Sequence, residues 1–137
     1  VTEEGIHKAY DVFEGITAYV QRIMHDVFTE TVTGGTADVD LVDNMIDRFI
    51  EESSRRIREQ LSVITEQQKE LLYAIHSEGI AKGLTASAFV KRHRLKSASS
   101  VQSATKQLLE MDLITKEGNE YTLSDPLLKL WLTREIQ

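Results

Sequence analysis

Apolar residues in the first part of the chain recur at the three- and four-residue spacing of helices. One such stretch runs from Ile6 to Phe13 and is interrupted at Gly15. Thr17, whose hydroxyl suits an N-cap, is predicted to start a second helix. The predicted buried face of that second helix contains Val20, Ile23, Met24, Val27 and Phe28.

A third helical pattern follows a glycine-rich turn. The paired glycines within residues 33–36 predict the turn, because glycine supplies a backbone freedom that helices do not use. Asp38 is the predicted N-cap of a helix that reaches Leu61, and a thinner apolar stripe in residues 51–56 indicates a break or an exposed stretch. The predicted buried face of this helix contains Val42, Met45, Ile46, Phe49 and Ile50.

A capping-box signature opens the second part of the chain. Thr65 is followed three residues later by Gln68, the spacing at which two side chains can cap a helix together. The predicted helix ends near Gly79, and residues 79–83 are predicted to form a plain loop. Strand-like alternation is absent from the sequence before residue 110. The predicted inward residues of the helix are Leu71, Leu72 and Ile75.

Two more helices are predicted from their caps. Thr85 is the predicted N-cap of a short helix over residues 86–93, and Ser97 is the predicted N-cap of a longer helix over residues 98–111. The predicted inward residues are Ala88, Phe89 and Val90 in the first of these helices and Val101, Ala104, Leu108 and Leu109 in the second.

The end of the chain predicts a hairpin and a closing helix. Two short β-prone runs, 113–116 and 120–123, are separated by the glycine-containing loop 117–119. Residues 124–126 place a cap and a proline at a helix start. The predicted apolar face of this last helix contains Leu127, Leu128, Leu130 and Trp131.

Three helices followed by a hairpin is the element order of a winged helix-turn-helix. The predicted fold class is therefore mainly α. It has a helical subdomain in residues 1–62, followed by a winged helix-turn-helix domain with a small β-hairpin in residues 63–137.

Composition removes several function classes. The 137 residues include no cysteine, which excludes disulfides, thiolate nucleophiles and cysteine-based zinc sites. No apolar run approaches the ~20 residues of a membrane span, and the acidic start is unlike a signal peptide, so we expect a cytoplasmic protein without a membrane partner. The histidines are scattered and no catalytic motif is found, so we predict no catalytic residue and no metal site. These histidines are His7, His25, His76 and His93.

Charge is distributed unevenly along the chain. The formal net charge of −6 argues, taken alone, against a nucleic-acid partner. Residues 1–60 contain six basic and thirteen acidic residues, whereas residues 61–137 contain ten basic and nine acidic ones. Residues 79–109 contain no Asp or Glu at all. The second part of the chain is therefore where nucleic acid could bind.

The third helix of a winged helix lies in the DNA major groove, and the wing contacts the backbone or the minor groove. The outer face of this helix carries short hydroxyl donors, an amide and an ammonium group, and a basic run precedes it. This face has no arginine and no aromatic residue, so strong base-specific readout is not expected. The predicted nucleic-acid-binding residues are Lys91, Arg92, Arg94, Lys96, Ser97, Ser99, Gln102, Ser103, Lys106 and Lys116.

Three segments resemble the C-terminal region of prokaryotic AAA+/STAND-type ATPases, the archaeal-type group related to origin-recognition ATPases. Residues 65–75 resemble the motif Leu-Thr-x-x-Gln-x-x-Leu-Leu-x-Ala-Ile from its threonine onward, and residues 95–101 resemble Leu-x-Ser-x-Ser-Ser-Val. Residues 121–132 resemble Tyr-x-Leu-x-Asp-Pro-Phe-Phe-x-x-Trp-Leu. The resemblance implies that residues 1–62 are the helical lid subdomain of such an ATPase and that the winged helix follows it.

The lid has a weaker signature. Residues 15–21 are similar to the motif Gly-x-x-Pro-Tyr-x-x-Gln, with Ala18 in place of the proline and Gln21 one position before the motif's glutamine. Arg22 is the nearest candidate for a nucleotide-sensing arginine. The resemblance implies no cofactor in this chain and ATP with Mg²⁺ in the nucleotide-binding core of a longer parent protein. The start at Val1 rather than Met agrees with that expectation.

Three functions are therefore open. The leading interpretation is a non-catalytic C-terminal fragment of an ATPase, whose winged helix binds double-stranded DNA or a protein partner. The first alternative is a free-standing winged-helix transcription regulator whose N-terminal helices dimerise. The second is a purely protein-docking module.

Overall fold

The computed structural model describes residues 3–31 and 39–136. The predicted turn at 33–36 and the predicted cap Asp38 lie outside the described residues. The chain forms two compact units, Val1–Arg55 and Arg56–Gln137, and the division falls within the third helix. The predicted boundary between residues 62 and 63 stays a prediction.

The first unit contains α1 (Glu3–Val12), α2 (Thr17–Thr31) and the beginning of α3 (Val39–Ser62). Helix α1 ends in a Schellman motif, in which the Gly15 N–H donates to the Tyr10 carbonyl oxygen (2.9 Å) and the Glu14 N–H donates to that of Asp11 (3.2 Å). Gly15 has a φ of 73°, and a Cβ there would lie 2.9 Å from the Tyr10 ring. The interruption that the sequence predicts at Gly15 is therefore confirmed.

Apolar side chains and one aromatic cluster form the core of the first unit. The rings of Phe13, Tyr19 and Phe49 contact one another at centroid distances of 5.4 to 5.8 Å. The predicted buried face of α3 is confirmed in full. The buried apolar residues of this unit are Ala9, Phe13, Ile23, Val27, Val42, Met45, Ile46, Phe49 and Ile50.

Two predictions for α2 are wrong. Phe28 is 67% exposed although the sequence places it inward, because the buried stripe of α2 narrows to Ile23 and Val27. Phe28 lies one residue, about 100°, further around the helix than Val27. Thr17 is not the N-cap either, because the Val20 N–H donates to the Ile16 carbonyl oxygen (3.1 Å) and thereby makes Ile16 the capping position.

The second unit begins with the end of α3 and contains four further helices and three strands. Its helices are α4 (Glu66–Glu78), α5 (Ser87–Arg92), α6 (Ala98–Glu110) and α7 (Pro126–Ile136). Its strands are β1 (Ala81–Lys82), β2 (Ile114–Glu117) and β3 (Glu120–Leu123), in the antiparallel order β1-β3-β2. The predicted fold class is confirmed.

The predicted caps of the three longest helices that lie wholly in this unit are confirmed. Thr65 and Gln68 form the capping box of α4, and Ser97 accepts a hydrogen bond at the start of α6. At the start of α7, the Asp125 carboxylate accepts from the Leu127 N–H (3.0 Å). These caps satisfy backbone donors that the helices themselves leave without partners, and so fix where each helix begins.

The sheet differs from its prediction in two places, the hairpin loop and residues 79–83. Glu117 pairs with Glu120, so the hairpin loop has two residues rather than three, and Gly118 has the positive φ (62°) that a tight hairpin turn needs. Residues 79–83 are not a plain loop, because Ala81 pairs with Tyr121 of β3. This additional strand, β1, is only two residues long and is stabilised by its distant partner β3, so its own sequence has no alternating pattern.

Helix α5 is shorter and less well capped than predicted. It runs from Ser87 to Arg92 with Ala86 at the N-cap, and no side chain caps it, so the predicted cap by Thr85 is wrong. Phe89 is buried and Val90 is half-buried, whereas Ala88 is exposed. A helix of six residues completes fewer than two turns, so it can bury only a narrow stripe.

The core of the second unit lies between α4, α6, α7 and the sheet. The largest fully buried side chains of this unit are Ile57, Leu71, Leu72, Ile75, Leu108, Leu127, Leu128 and Leu132.

Within residues 3–31 and 39–136, no helix is long and apolar enough to cross a membrane. The same residues contain no group of three or more side chains that could hold a metal ion.

Candidate nucleic-acid interface

Helix α6 is fixed at its N-terminus and has a polar outer face. The Ser100 N–H donates to Ser97 Oγ (3.1 Å), and the Ser97 N–H donates back to Ser100 Oγ (3.2 Å). Its inner face buries Val101, Ala104, Thr105 and Leu108. The predicted contacts on its outer face are all exposed, namely Ser99, Gln102, Ser103 and Lys106.

The start of α6 also has backbone donors beyond the helical ladder. The first helical bond runs from the Val101 N–H to the Ser97 carbonyl oxygen (3.1 Å), so the N–H groups of Ala98 and Ser99 precede it. The helix dipole concentrates positive partial charge at the same end. An anion such as a phosphate is therefore favoured at this terminus.

A Schellman motif connects α5 to α6. The Leu95 N–H donates to the Val90 carbonyl oxygen (2.9 Å), and the Arg94 N–H donates to that of Lys91 (3.2 Å). Arg94 occupies the left-handed position of the motif with a φ of 54°, where glycine is the favoured residue. A non-glycine residue there costs roughly 1–2 kcal/mol.

Four cations around this turn and along α6 have no carboxylate partner among the described residues. All four side chains are exposed. Because no carboxylate of the described residues pairs with them, their charge is available to an external polyanion. We call these residues the basic set; it consists of Lys91, Arg94, Lys96 and Lys106.

Arg92, predicted to belong with them, is instead paired. Its guanidinium donates to Glu78 Oε1 at the end of α4, and His93 Nε2 lies 2.8 Å from the same oxygen. These hydrogen bonds, from His93 first and Arg92 second, lower the pKa of the Glu78 carboxyl below its usual value. Glu78 is therefore ionised at neutral pH and opposes the charge of Arg92.

A groove of about 640 Å³ separates α6 from the wing. Three predicted contacts line it: Gln102 and Lys106 from α6, and Lys116 from the wing. Lys116 Nζ lies 5.7 Å from the centre of the Tyr121 ring, which gives this lysine a cation–π contact. The groove thus combines cations, an amide and an aromatic wall.

Sequence reasoning missed several residues at this groove. Thr85, Asn119 and Tyr121 also line it. Asn119 lies in the hairpin turn, three residues after Lys116, so the hairpin signal indicates this residue as well. Thr85 reaches the groove because it lies in the loop after β1, and the sequence does not predict that strand.

Acidic residues limit what the wing can contribute. Glu110 lines the groove, and Glu117 ends β2 beside the tip of the wing. Lys82 Nζ, the one cation of β1, lies 3.3 Å from Glu120 Oε1 and is paired there. The basic set therefore supplies more positive charge on the α5–α6 turn and along α6 than the wing does.

Arg22, the predicted nucleotide-sensing residue, belongs to the first unit and is engaged there. Its Nε lies 3.0 Å from Asp26 Oδ2 and its NH2 lies 2.7 Å from Glu52 Oε2. Its guanidinium carbon also lies 4.9 Å from the centre of the Phe49 ring. A phosphate would have to displace these carboxylates, and the sensing role stays a prediction.

The order of α4, β1, α5, α6, β2 and β3, with a groove between α6 and the hairpin, defines a winged helix-turn-helix domain. Residues 56–134, more than half of the chain, match the family described as a probable winged helix domain, and the chain belongs to that family. A search of curated proteins finds no match. Winged helix domains bind DNA or proteins.

Proposed function

We propose that the winged helix binds double-stranded DNA through α6 and the α5–α6 turn. The single observation that carries this proposal is the basic set, whose four exposed cations have no carboxylate partner among the described residues. Phosphates neutralised by such cations release condensed counterions, which is the main source of sequence-independent DNA affinity.

Base recognition contributes little to this binding. The outer face of α6 offers the hydroxyls of Ser99 and Ser103, the amide of Gln102 and the ammonium group of Lys106. Gln102 suits adenine, but no arginine on this face can read guanine in the bidentate manner. The domain should therefore bind different duplexes with similar affinity.

Fluorescence anisotropy with two unrelated labelled duplexes of about 20 base pairs tests this proposal. At low salt the full 137-residue chain should bind both, with dissociation constants that differ by less than about tenfold, because mismatched bases cost ~1–3 kcal/mol only where bases are read. If neither duplex binds, the proposal fails and a protein-docking module is the better account.

Arg94 provides a test that separates stability from binding. Arg94→Gly should leave the free energy of unfolding unchanged or raise it by up to about 1 kcal/mol, since glycine relieves the left-handed backbone. The same variant should weaken duplex binding roughly three- to tenfold, because one phosphate contact is lost. Urea denaturation and anisotropy measure the two effects.

Asp112→Gly is the matched control for Arg94→Gly. Asp112 has a φ of 58° in the equivalent motif at the end of α6, where the Leu113 N–H donates to the Leu108 carbonyl oxygen (3.0 Å). This control should show the same stability trend without any loss of DNA affinity. Equal losses of binding in both variants would mean that the guanidinium of Arg94 has no part in binding.

We also propose that the chain is the C-terminal region of an AAA+/STAND-type ATPase, with the helical first unit as its lid. Support comes from the motif resemblances of residues 65–75, 95–101 and 121–132, which coincide with the starts of α4 and α6 and with the β3–α7 junction. ATP and Mg²⁺ would then bind to a core that precedes the chain. This part of the proposal rests on resemblance.

The gene that encodes the chain tests the ATPase proposal. A P-loop motif, Gly-x-x-x-x-Gly-Lys-Ser/Thr, should occur roughly 200 residues upstream in the same reading frame, a distance of one to two domains. A reading frame that starts at or near the first residue of the chain would overturn the ATPase assignment. The DNA-binding proposal would be unaffected, because it depends only on the winged helix.

A further inference from the structure

We propose that Glu78 sets the DNA affinity of the winged helix below its maximum by withholding Arg92 from the phosphates. This inference rests on the proposed DNA-binding function and adds to it a residue on α4, outside the DNA-facing helix. Glu78 is the last residue of α4, and it contacts the basic run between α5 and α6 from the side.

One carboxylate oxygen holds two side chains that are consecutive in sequence. Both the Arg92 guanidinium and His93 Nε2 contact Glu78 Oε1. The His93 side chain is only 14% exposed, and its ring packs against the Phe89 ring at an interplanar angle of 51°, with the centroids 4.6 Å apart. His93 is therefore the less exposed of the two partners and keeps the carboxylate at the end of α5.

Arg92 forms the solvent side of this cluster. Its side chain is 58% exposed, and it lies between Lys91 and the left-handed Arg94 in sequence. Without Glu78 its guanidinium would be as accessible to a phosphate as the charged groups of the basic set. With Glu78 in place, a DNA phosphate has to compete with a carboxylate that is already positioned and hydrogen-bonded.

The pairing distinguishes Arg92 from its neighbours in a measurable way. Arg92→Ala in the otherwise unchanged protein should weaken duplex binding less than twofold, whereas Arg94→Ala should weaken it roughly three- to tenfold. Because Glu78 holds Arg92, its loss removes no phosphate contact, although it leaves the Glu78 carboxylate without this arginine. The slope of log Kd against log salt should therefore stay the same for Arg92→Ala and become shallower by about 0.9 for Arg94→Ala. This comparison requires no change to Glu78 and keeps the inference testable if Glu78 variants fold poorly.

A double-mutant cycle tests the inference directly, using the full chain and a labelled 20-base-pair duplex. Glu78→Gln keeps an oxygen acceptor for His93 but removes the charge that holds Arg92. It should tighten binding roughly three- to tenfold and steepen the slope of log Kd against log salt by about 0.9, the value for one added phosphate contact. Adding Arg92→Ala to Glu78→Gln should abolish both gains.

Glu70→Gln is the matched control, because Glu70 is an exposed carboxylate on the same helix. It makes the same change in net charge without freeing a paired arginine. It should tighten binding by less than about twofold at 0.15 M salt and leave the slope unchanged, since distant exposed charges are screened there. Circular dichroism of each variant verifies that the helices are retained.

The outcomes separate the inference from the function on which it rests. If the wild-type protein binds DNA, and Glu78→Gln equals Glu70→Gln or keeps its gain after Arg92→Ala, the inference is wrong and the proposed function stands. An Arg92→Ala effect as large as that of Arg94→Ala also overturns it. If neither the wild type nor Glu78→Gln binds duplex DNA at low salt, the function and the inference fail together.

Discussion

Replacing all four residues of the basic set with glutamine will weaken duplex DNA binding roughly 30- to 1,000-fold at low salt. Each member is exposed and without a carboxylate partner among the described residues, so each can neutralise a phosphate. Glutamine keeps much of the length and polarity of these side chains and removes only their charge. The slope of log Kd against log salt should also become shallower by about 3–4, since each phosphate contact contributes ~0.9.

A matched pair of double variants controls for net charge. Lys96→Gln with Lys106→Gln removes two charges from the basic set, whereas Lys69→Gln with Lys82→Gln removes two lysines that are paired with Glu66 and Glu120. The first pair should reduce affinity roughly tenfold and the second less than threefold. Equal losses would show that only the total charge of the chain matters and that α6 has no special position.

The second large effect is on stability. Leu108→Ala should lower the free energy of unfolding of the second unit by about 2–5 kcal/mol. Leu108 is 0% exposed on the inner face of α6, so truncation leaves a cavity beneath the helix that carries the candidate interface. Urea denaturation followed by fluorescence measures the change, because the only tryptophan, Trp131, is 7% exposed and lies in this unit.

Met111→Ala serves as the comparison for Leu108→Ala. Met111 follows α6 directly and is 44% exposed, so its truncation should cost less than about 1 kcal/mol. A Leu108→Ala variant that is as stable as Met111→Ala would contradict the described packing of α6. Leu108→Ala should also bind DNA normally once its folded fraction is taken into account, since its side chain does not reach the surface.

Local signals predicted most of the second unit. The capping pairs Thr65–Gln68 and Ser97–Ser100 and the cap at Asp125 act over two or three residues, so the information that fixes each helix start is contiguous in sequence. The periodic apolar residues then determine which faces are buried. Order of elements, hairpin and closing helix all follow from such short-range rules.

The features that the sequence did not predict depend on contacts between residues that are far apart in the chain. Strand β1 exists because Ala81 meets Tyr121, 40 positions later, and two residues cannot show an alternating pattern. The pairing of Arg92 with Glu78 needs α4 and α5 to be packed side by side before it can form. A basic run therefore predicted where positive charge lies but not which of its members is neutralised.

The charges that sum to −6 are distributed unevenly over the structure. The acidic residues are concentrated in the first part of the chain and near the wing, whereas the basic set lies on the α5–α6 turn and along α6. DNA affinity at physiological salt depends on charges within about 8 Å of the phosphates far more than on the total. A protein of negative net charge can therefore still bind DNA through this surface.

The central claim is that the winged helix binds duplex DNA through phosphate contacts of the basic set. Its most direct measurement is the affinity of the full chain for one duplex between about 25 and 200 mM salt, by fluorescence anisotropy. Four phosphate contacts predict a slope of log K against log salt near −3.6. A slope near zero, or no binding at the lowest salt, would contradict the claim.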